Sequence, residues 1–371
     1  MTTENLNVFV CGDVMTGRGI DQILRHPCDP RIYESYLKDA RDYVELAEHI
    51  HGKIPRGVAG SYVWEKIAPE WQKRRPLVKI INLETAVTVS DKHWAGKGIN
   101  YRMHPQNIDV LTSAQIDICA LANNHVLDWE VEGLRETLGT LEAAGIKYAG
   151  AGENRAEAMK PVVHKLPGDK RLLLFSLGTA SSGIPGEWSA AADRAGVYLL
   201  EDLASGTIRQ IKENVEQYRQ TGDLIIISIH WGSNWGYEIP VAHQLFAHNL
   251  IDEVNADLIH GHSSHHPIAI EIYRDKPVLY GCGDFINDYE GIHGREALRG
   301  DLSVMYFLEF DPRSLHLRKI ELVPLQVRLF QLNYASLEDR QWLVETFSRI
   351  SATWQTPFRL DNDHTISVNM H

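Results

Sequence analysis

Seven apolar runs recur along the chain, each bounded by turn residues: "LNVFVCG" (6–12), "LVKIIN" (77–82), "IDICALA" (116–122), "RLLLFSL" (171–177), "DLIIISIH" (223–230), "ADLIHG" (256–261) and "PVLYGCG" (277–283). Runs this short and this uniformly apolar read as strands covered on both faces. Such strands need helices over them, and the intervening segments supply the helical period. In "WEVEGLRETLGTLEAAG" (129–145), Val131, Leu134, Leu138 and Leu141 share one face and Gly145 ends the helix. "PVAHQLFAHNLIDEVNA" (240–256) is amphipathic as well. The alternation predicts an α/β layered domain. Later, "LSVMYFLEFD" (302–311) and "LHLRKIELVPLQV" (315–327) predict a β-hairpin, and "SLEDRQWLVETFSRIS" (336–351) a closing helix. Residues 1–330 therefore read as one large domain and 331–371 as a C-terminal helical extension packed on it. The loops 84–104 and 179–196 are long enough to be lids or binding loops.

The polar residues at the strand ends are more specific. Asp13 comes after "VFVCG", Glu84 after "VKIIN", and Asn123, Asn124 and His125 after "ICALA"; His230 closes "LIIISIH", and His262 and His265 follow "ADLIHG". Open α/β sheets bind ligands at the carboxyl ends of their strands. Taken singly, Asp13 or Asn124 can cap a turn and a lone histidine can simply pack. Jointly, five strands deliver metal-ligand residue types to one rim. Carboxylate, amide oxygen and imidazole suit Mn²⁺, Fe²⁺ or Zn²⁺, and the lack of thiolate speaks against a structural zinc site. Two ions sharing a carboxylate, about 3.5–4 Å apart, could deprotonate a bridging water near neutral pH. His125 is then the candidate proton donor.

The neighbours of these residues carry weaker expectations. Asp128 could orient His125 or cap the helix starting near Trp129. Arg18 could grip an anionic substrate group, or lie on the surface. Asn123, Asp284 and Asp288 would stand behind the ligands or face substrate. In "HGHSSHHP" (260–267), His260 packs and His266 is a candidate for proton transfer. Trp231, with Trp235 and Tyr237, could form an aromatic platform or pack over the site.

Charge and cysteine usage narrow the classes. With 49 acidic against 37 basic residues the net charge is −12, which argues against nucleic acid as a partner. Cys11, Cys28, Cys119 and Cys282 are scattered singly, as in a reducing compartment. The opening "MTTENLNVFVCGDVM" has no basic n-region, and its apolar run is too short for a signal segment or a membrane span. The expectation is a cytoplasmic protein; oligomeric state is not legible.

Six motifs, "GDVMTGR" (12–18), "NLET" (82–85), "ANNHVLD" (122–128), "HWG" (230–232), "GHSSHHP" (261–267) and "YGCGDF" (280–285), resemble in order and spacing the CapA family of bacterial poly-γ-glutamate capsule-synthesis proteins, over roughly residues 6–290. The resemblance implies the calcineurin-like metallophosphatase fold, a four-layer αββα sandwich. It implies one or two divalent ions, Mn, Fe or Zn, held by Asp13, Glu84, Asn124, His230, His262 and His265, with Glu84 bridging and His125 donating the proton. Asp13 is followed by Val14 and Met15 rather than by the histidine of the metallophosphatase D-x-H motif, so one metal position loses an imidazole. The implied activity is that of a hydrolase or transferase acting on an amide, γ-glutamyl or phosphoester bond through a metal-bound hydroxide. Two alternatives stand beside it. One is a metal-dependent peptide epimerase exchanging a Cα proton through a metal-stabilised enolate, with His125 and His266 as proton carriers. The other is a non-catalytic, metal-containing binding protein that uses the aromatic platform.

Overall fold

A computed structural model describes residues 5–294 and 296–368. All seven apolar runs contain strands, and they divide between two sheets. Leu6–Val14, Val78–Leu83, Ile118–Ala120 and Lys147–Ala149 run parallel in the first sheet. Lys170–Thr179, Leu224–His230, Leu258–His262 and Lys276–Leu279 run parallel in the second.

The uniform apolarity of these runs has a direct cause. Val8, Val10, Ile80, Leu172, Leu174, Leu224 and Ile226 share one core, which the two sheets enclose. Their alternates point the other way. Phe9 and Cys11 meet Ile20, Ile23, Leu134 and Leu138 from the helices Arg18–Ile23 and Glu130–Ala143. Leu173, Phe175, Ile225 and Ile227 meet Ile208, Ile211, Phe246 and Leu250 from the helices Ser205–Tyr218 and Val241–Asp252. Apart from the edge strand Lys147–Ala149, where Lys147 is exposed, these strands are buried on both faces, and the order of layers is helix, sheet, sheet, helix, the αββα arrangement that the resemblance implied.

The hairpin is Leu302–Phe310 against Leu317–Arg328, and it extends the first sheet antiparallel to Leu6–Val14. The segment after residue 330 corrects the expectation of a helical extension. Its helix, Leu337–Ile350, is present and carries a Ser336–Asp339 capping box, but Gln331–Tyr334 and Ile366–Val368 both pair with Leu317–Arg328, and Phe358–Leu360 forms the edge beyond. Leu343, Phe347, Ile366 and Val368 lie in the core between the sheets. Strands of three or four residues are too short to show a period, so only the helix was legible; residues 369–371 of the expected extension lie outside the described residues. All four cysteines are free and buried. No helix among the described residues is long and apolar enough to cross a membrane.

One close approach positions the site. The short strand Asp284–Ile286 lies parallel to the end of Leu6–Val14, with Asp13 opposite Asp284 and the Asp13 N–H donating to the Gly283 carbonyl at 3.0 Å. A Cβ at Gly12 would sit 1.6 Å from that carbonyl oxygen. Gly12→Ala is therefore expected to destabilise the fold by about 3 kcal/mol, the upper end of the usual overpacking range, in a urea-unfolding experiment. An unchanged midpoint would mean that the strands do not approach this closely.

Candidate metal centre

Strand register brings the polar residues together. His230 and His262 are the last residues of adjacent parallel strands and stand opposite each other, while Asp13 stands opposite Asn82 on one side and Asp284 on the other. The carboxyl ends of the two sheets therefore converge on one cluster. The ligand atoms of Asp13, His230 and His262 lie within 4.8 Å of one another, as do those of Asp13, Glu84 and Asp284. Asp13 belongs to both groups. Asn124 joins them through its Oδ1, 3.1 Å from His230 Nε2.

Burial governs the electrostatics. Asp13, His230 and His262 have no exposed surface, and Glu84 is only 3% exposed. Burial pushes the Asp13 carboxyl up to about 7, with the neighbouring Glu84 carboxyl and the Asn82 amide opposing the rise and Asp284 adding to it. Burial also raises Glu84 well above the carboxylate range, with the Asp13 charge next in weight. The same desolvation holds His230 and His262 well below their ordinary value, which keeps them neutral. Their Nδ1 atoms lie 2.7 Å apart, so a proton on one of them is needed to make that contact favourable. Glu84 Oε2 is buried with no hydrogen-bond partner. A buried orphan oxygen among crowded carboxylates and neutral imidazoles, with no sulfur in the set, fits a divalent cation.

The surrounding residues hold the cluster. Asn82 donates to Asp13 Oδ1 at 2.7 Å, and Asn123 donates to Asn82 Oδ1 at 3.0 Å while its own Oδ1 accepts the His125 and Val126 amides. Asn123 thereby shapes the turn that presents Asn124 and His125. Ser263, at φ 103°, turns its N–H to Asp13 Oδ2 at 3.1 Å, a strained backbone at the centre of the site. His260 packs, bonded to the Cys11 carbonyl at 2.7 Å and to Ser228 at 3.1 Å.

His125 stands at the edge of the cluster, with Nε2 3.9 Å from Glu84 Oε1. Its Nδ1 is 2.6 Å from Asp128 Oδ2, which also accepts the Tyr101 amide. The carboxylate places the ring proton on Nδ1 and leaves the Nε2 lone pair facing the site. Burial draws His125 down to about 4, against the upward pull of Asp128. Lys97, from the 84–104 loop, donates to Asp128 Oδ1 at 2.6 Å and to the Asn124 carbonyl. That loop meets the 179–196 loop where Trp94 packs edge-on against Trp188, ring centroids 5.7 Å apart. Both long loops therefore wall the site. Lys97 and Asn82 were missed from the sequence. Asn82 carried a signal, a polar side chain closing a wholly apolar strand; Lys97 sits in a loop, where no period marks it.

Several expected roles are corrected. His265 directs Nδ1 to Asp284, 2.9 and 3.0 Å from its two oxygens, and Nε2 to Asn234 at 2.9 Å, so both ring nitrogens are engaged away from the His230–His262 pair. His266 is not placed for proton transfer: its Nε2 accepts the Gly236 amide at 3.1 Å, its Nδ1 faces the Pro267 carbonyl at 3.3 Å, and Tyr237 packs edge-on against it. Trp231 donates to the Tyr280 carbonyl at 2.8 Å and stacks on His243, and with Trp235 and Tyr237 it lines a cavity of about 430 Å³, so the three aromatic residues do come together. Arg18 is buried rather than exposed, bonded to Glu34 at 2.7 Å and to Asp288, while Asp288 also accepts the Gly19 amide at 2.8 Å. That pair locks the Arg18–Ile23 helix onto the body and offers nothing to a substrate anion. Asp284 moves the other way, from behind the ligands into the carboxylate group.

Most of the chain is similar to known proteins. The family described as bacterial capsule synthesis protein PGA_cap matches residues 7–289. A protein of Mycobacterium tuberculosis named probable polyglutamine synthesis accessory protein is 43% identical over 347 residues, covering 93% of this chain and 91% of the relative. The capsule biosynthesis protein CapA of Bacillus anthracis is 20% identical over 88% of this chain and 68% of its own length. The PGA biosynthesis protein CapA of Bacillus subtilis is 25% identical over 62% of this chain and 57% of its own.

Proposed function

The chain belongs to the bacterial capsule synthesis protein PGA_cap family, and from that premise we propose that it is a metal-dependent hydrolase or transferase acting on an amide or γ-glutamyl bond of a polyglutamate-type chain. The observation that carries the reading is the meeting of Asp13, Glu84, Asn124, His230 and His262 beside a histidine held in one tautomer by Asp128. Asp13, Glu84, Asn124, His230, His262 and Asp284 would hold the metal. A divalent ion bound there supplies Lewis acidity toward a carbonyl or phosphoryl oxygen and lowers the pKa of water.

The protein's own groups do the rest. His125, neutral and with its lone pair on Nε2, takes up a proton at that atom and returns it to the leaving nitrogen or oxygen. Asp128 and Lys97 hold the ring so that only Nε2 faces the reaction. The 84–104 and 179–196 loops meet over this edge through Trp94 and Trp188, and His125 is only 5% exposed. Names of the relatives put polyglutamate chains ahead of phosphoesters as substrates. The epimerase alternative is disfavoured because exchange of a Cα proton needs carriers on two faces, and the backbone bonds of His266 leave His125 without a counterpart.

Incubation of the Mn²⁺-loaded protein with poly-γ-glutamate, γ-glutamyl oligomers and a phosphoester panel tests the proposal. The expected result is a change in γ-glutamyl chain length, seen by mass spectrometry and lost in His125→Ala. No turnover on any member of the panel, with metal bound, would favour the non-catalytic binding role instead.

A further inference from the structure

We infer that the cavity bounded by the 231–240 loop binds an uncharged sugar residue, at a recognition site that lies beside the carboxyl-end cluster and is separate from it. The inference goes beyond the function proposed above and does not rest on it.

The residues that follow the two histidines shape the cavity. Trp231 comes directly after His230, and Ser264 stands two positions after His262. The Trp231 amide donates to the His262 carbonyl at 3.2 Å, so the floor continues the rim of the second sheet. Farther along, the loop is pinned from outside: the His265 amide donates to the Asn234 carbonyl at 2.8 Å, and the Gly236 amide to His266 Nε2 at 3.1 Å. His265 and His266 thereby fix the loop that encloses the space. Its volume, about 430 Å³, falls within the roughly 300–1,000 Å³ of small-molecule sites.

Charge and hydrogen bonding select the occupant. Among the described residues the lining holds one carboxylate, Glu238, and no lysine or arginine. An acidic group, such as a glutamyl carboxylate, would enter without a partner. A cation is excluded on other grounds. The faces of Trp231 are covered by His243, stacked at 4.6 Å, and by Tyr280 at 6.2 Å. The Arg349 guanidinium already lies 5.1 Å from the Tyr237 ring centroid, so neither ring offers a free face to an ammonium. A purely apolar ligand fails for a third reason. Ser264 is 3% exposed and its Oγ has no hydrogen-bond partner, and such a ligand would leave that buried hydroxyl unpaired. Burial holds His243 below its ordinary value, so its imidazole is neutral and can both donate and accept. A neutral polyol meets every condition. Its hydroxyls pair with Ser264, His243 and Glu238, and its C–H faces lie against Trp235, Ile239 and Ile268.

The test titrates the full-length protein, carrying ¹⁵N-tryptophan, with the methyl glycosides of glucose, galactose, mannose and N-acetylglucosamine, and with chitobiose as the end of a glycan chain. Indole N–H resonances are followed by NMR. γ-Glutamylglutamate, tetramethylammonium and toluene serve as the acidic, cationic and apolar probes. The expected result is a saturable shift of the Trp231 and Trp235 indoles with at least one glycoside and with none of the three other probes. A shift with chitobiose as well also supports the inference and marks a glycan end as the source; a shift with the monosaccharides alone marks a free sugar. Glu238→Gln, at an exposed position, should weaken the binding roughly three- to tenfold. Ile239→Trp, which fills the cavity from a half-buried position, should abolish it. The wild-type titration needs no variant and stands even if Ile239→Trp misfolds. No shift with any sugar, an equal shift with γ-glutamylglutamate, tetramethylammonium or toluene, or unchanged sugar binding in Glu238→Gln would each overturn the inference. The readout needs neither metal nor turnover. Failure to cleave polyglutamate therefore leaves this result intact, and absence of sugar binding leaves the metal-dependent reading intact.

Discussion

Asp13→Asn is expected to abolish metal-induced stabilisation while making the metal-free protein more stable than the wild type. Asp13 is shared by both ligand groups, so its loss weakens both positions, each by more than the roughly 10–100-fold that removing an outer partner of a metal ligand costs. In the wild type, Mn²⁺ at about a hundred times its dissociation constant should add roughly 2.7 kcal/mol, a shift of a few degrees in Tm. The variant should show none. Without metal the sign reverses, because Asp13, Glu84 and Asp284 crowd three buried carboxyls together. Burial raises Asp13 from its ordinary 3.8 to about 7, so the folded state binds the proton more tightly than the unfolded one. The stability from that proton is therefore complete below about pH 4 and lost as the pH rises through 7. The amide that replaces the carboxyl in the variant carries no such charge. Thermal melts with and without Mn²⁺ at pH 5 and pH 8 check both halves of the expectation. A variant that still gains several degrees from Mn²⁺ would remove Asp13 from the centre.

His125→Ala is expected to lower kcat by about 10²–10⁴-fold on whichever substrate turns over, with metal content unchanged. The separation follows from geometry. His125 is absent from both ligand groups, its Nε2 is 3.9 Å from Glu84 Oε1, and its Nδ1 is engaged by Asp128. Asp128→Asn and Lys97→Met should act through the ring they position, with losses of roughly 10–100-fold. Their mark is spectroscopic as well as kinetic. Long-range ¹⁵N–¹H spectra of the imidazoles should show His125 protonated at Nδ1 in the wild type and redistributed in Asp128→Asn. Loss of metal together with loss of activity in His125→Ala would make His125 a ligand and refute its assignment as the proton carrier.

The parts of the molecule that were legible in the sequence share a physical reason. Strands buried on both faces, such as Leu224–His230, read as unbroken apolar runs, and a polar residue at the end of such a run has few places to go but the carboxyl rim. That logic reached Asp13, Glu84, Asn124, His125, His230 and His262 without any coordinates. It failed where local pattern carries no direction. His265 and His266 stand beside His262 in sequence, yet the turn through Ser263 at φ 103° sends them toward Asp284 and toward the Gly236 amide. Asp284 needed a pairing across 271 positions of chain with Asp13, and the three-residue strand that makes it has no period to read. Arg18 could equally have gripped a substrate or lain on the surface; it is buried among Glu34, Tyr43 and Asp288, partners that no local pattern announces.

The proposed function requires a metal ion at the rim where the two sheets end. The most direct test is an anomalous difference map, at the manganese edge, from crystals of the full chain grown with Mn²⁺. Density is expected within bonding distance of Asp13, flanked by His230 and His262 on one side and by Glu84 and Asp284 on the other, and missing in Asp13→Asn. Ordered manganese found only at surface carboxylates, with the rim empty, would contradict it.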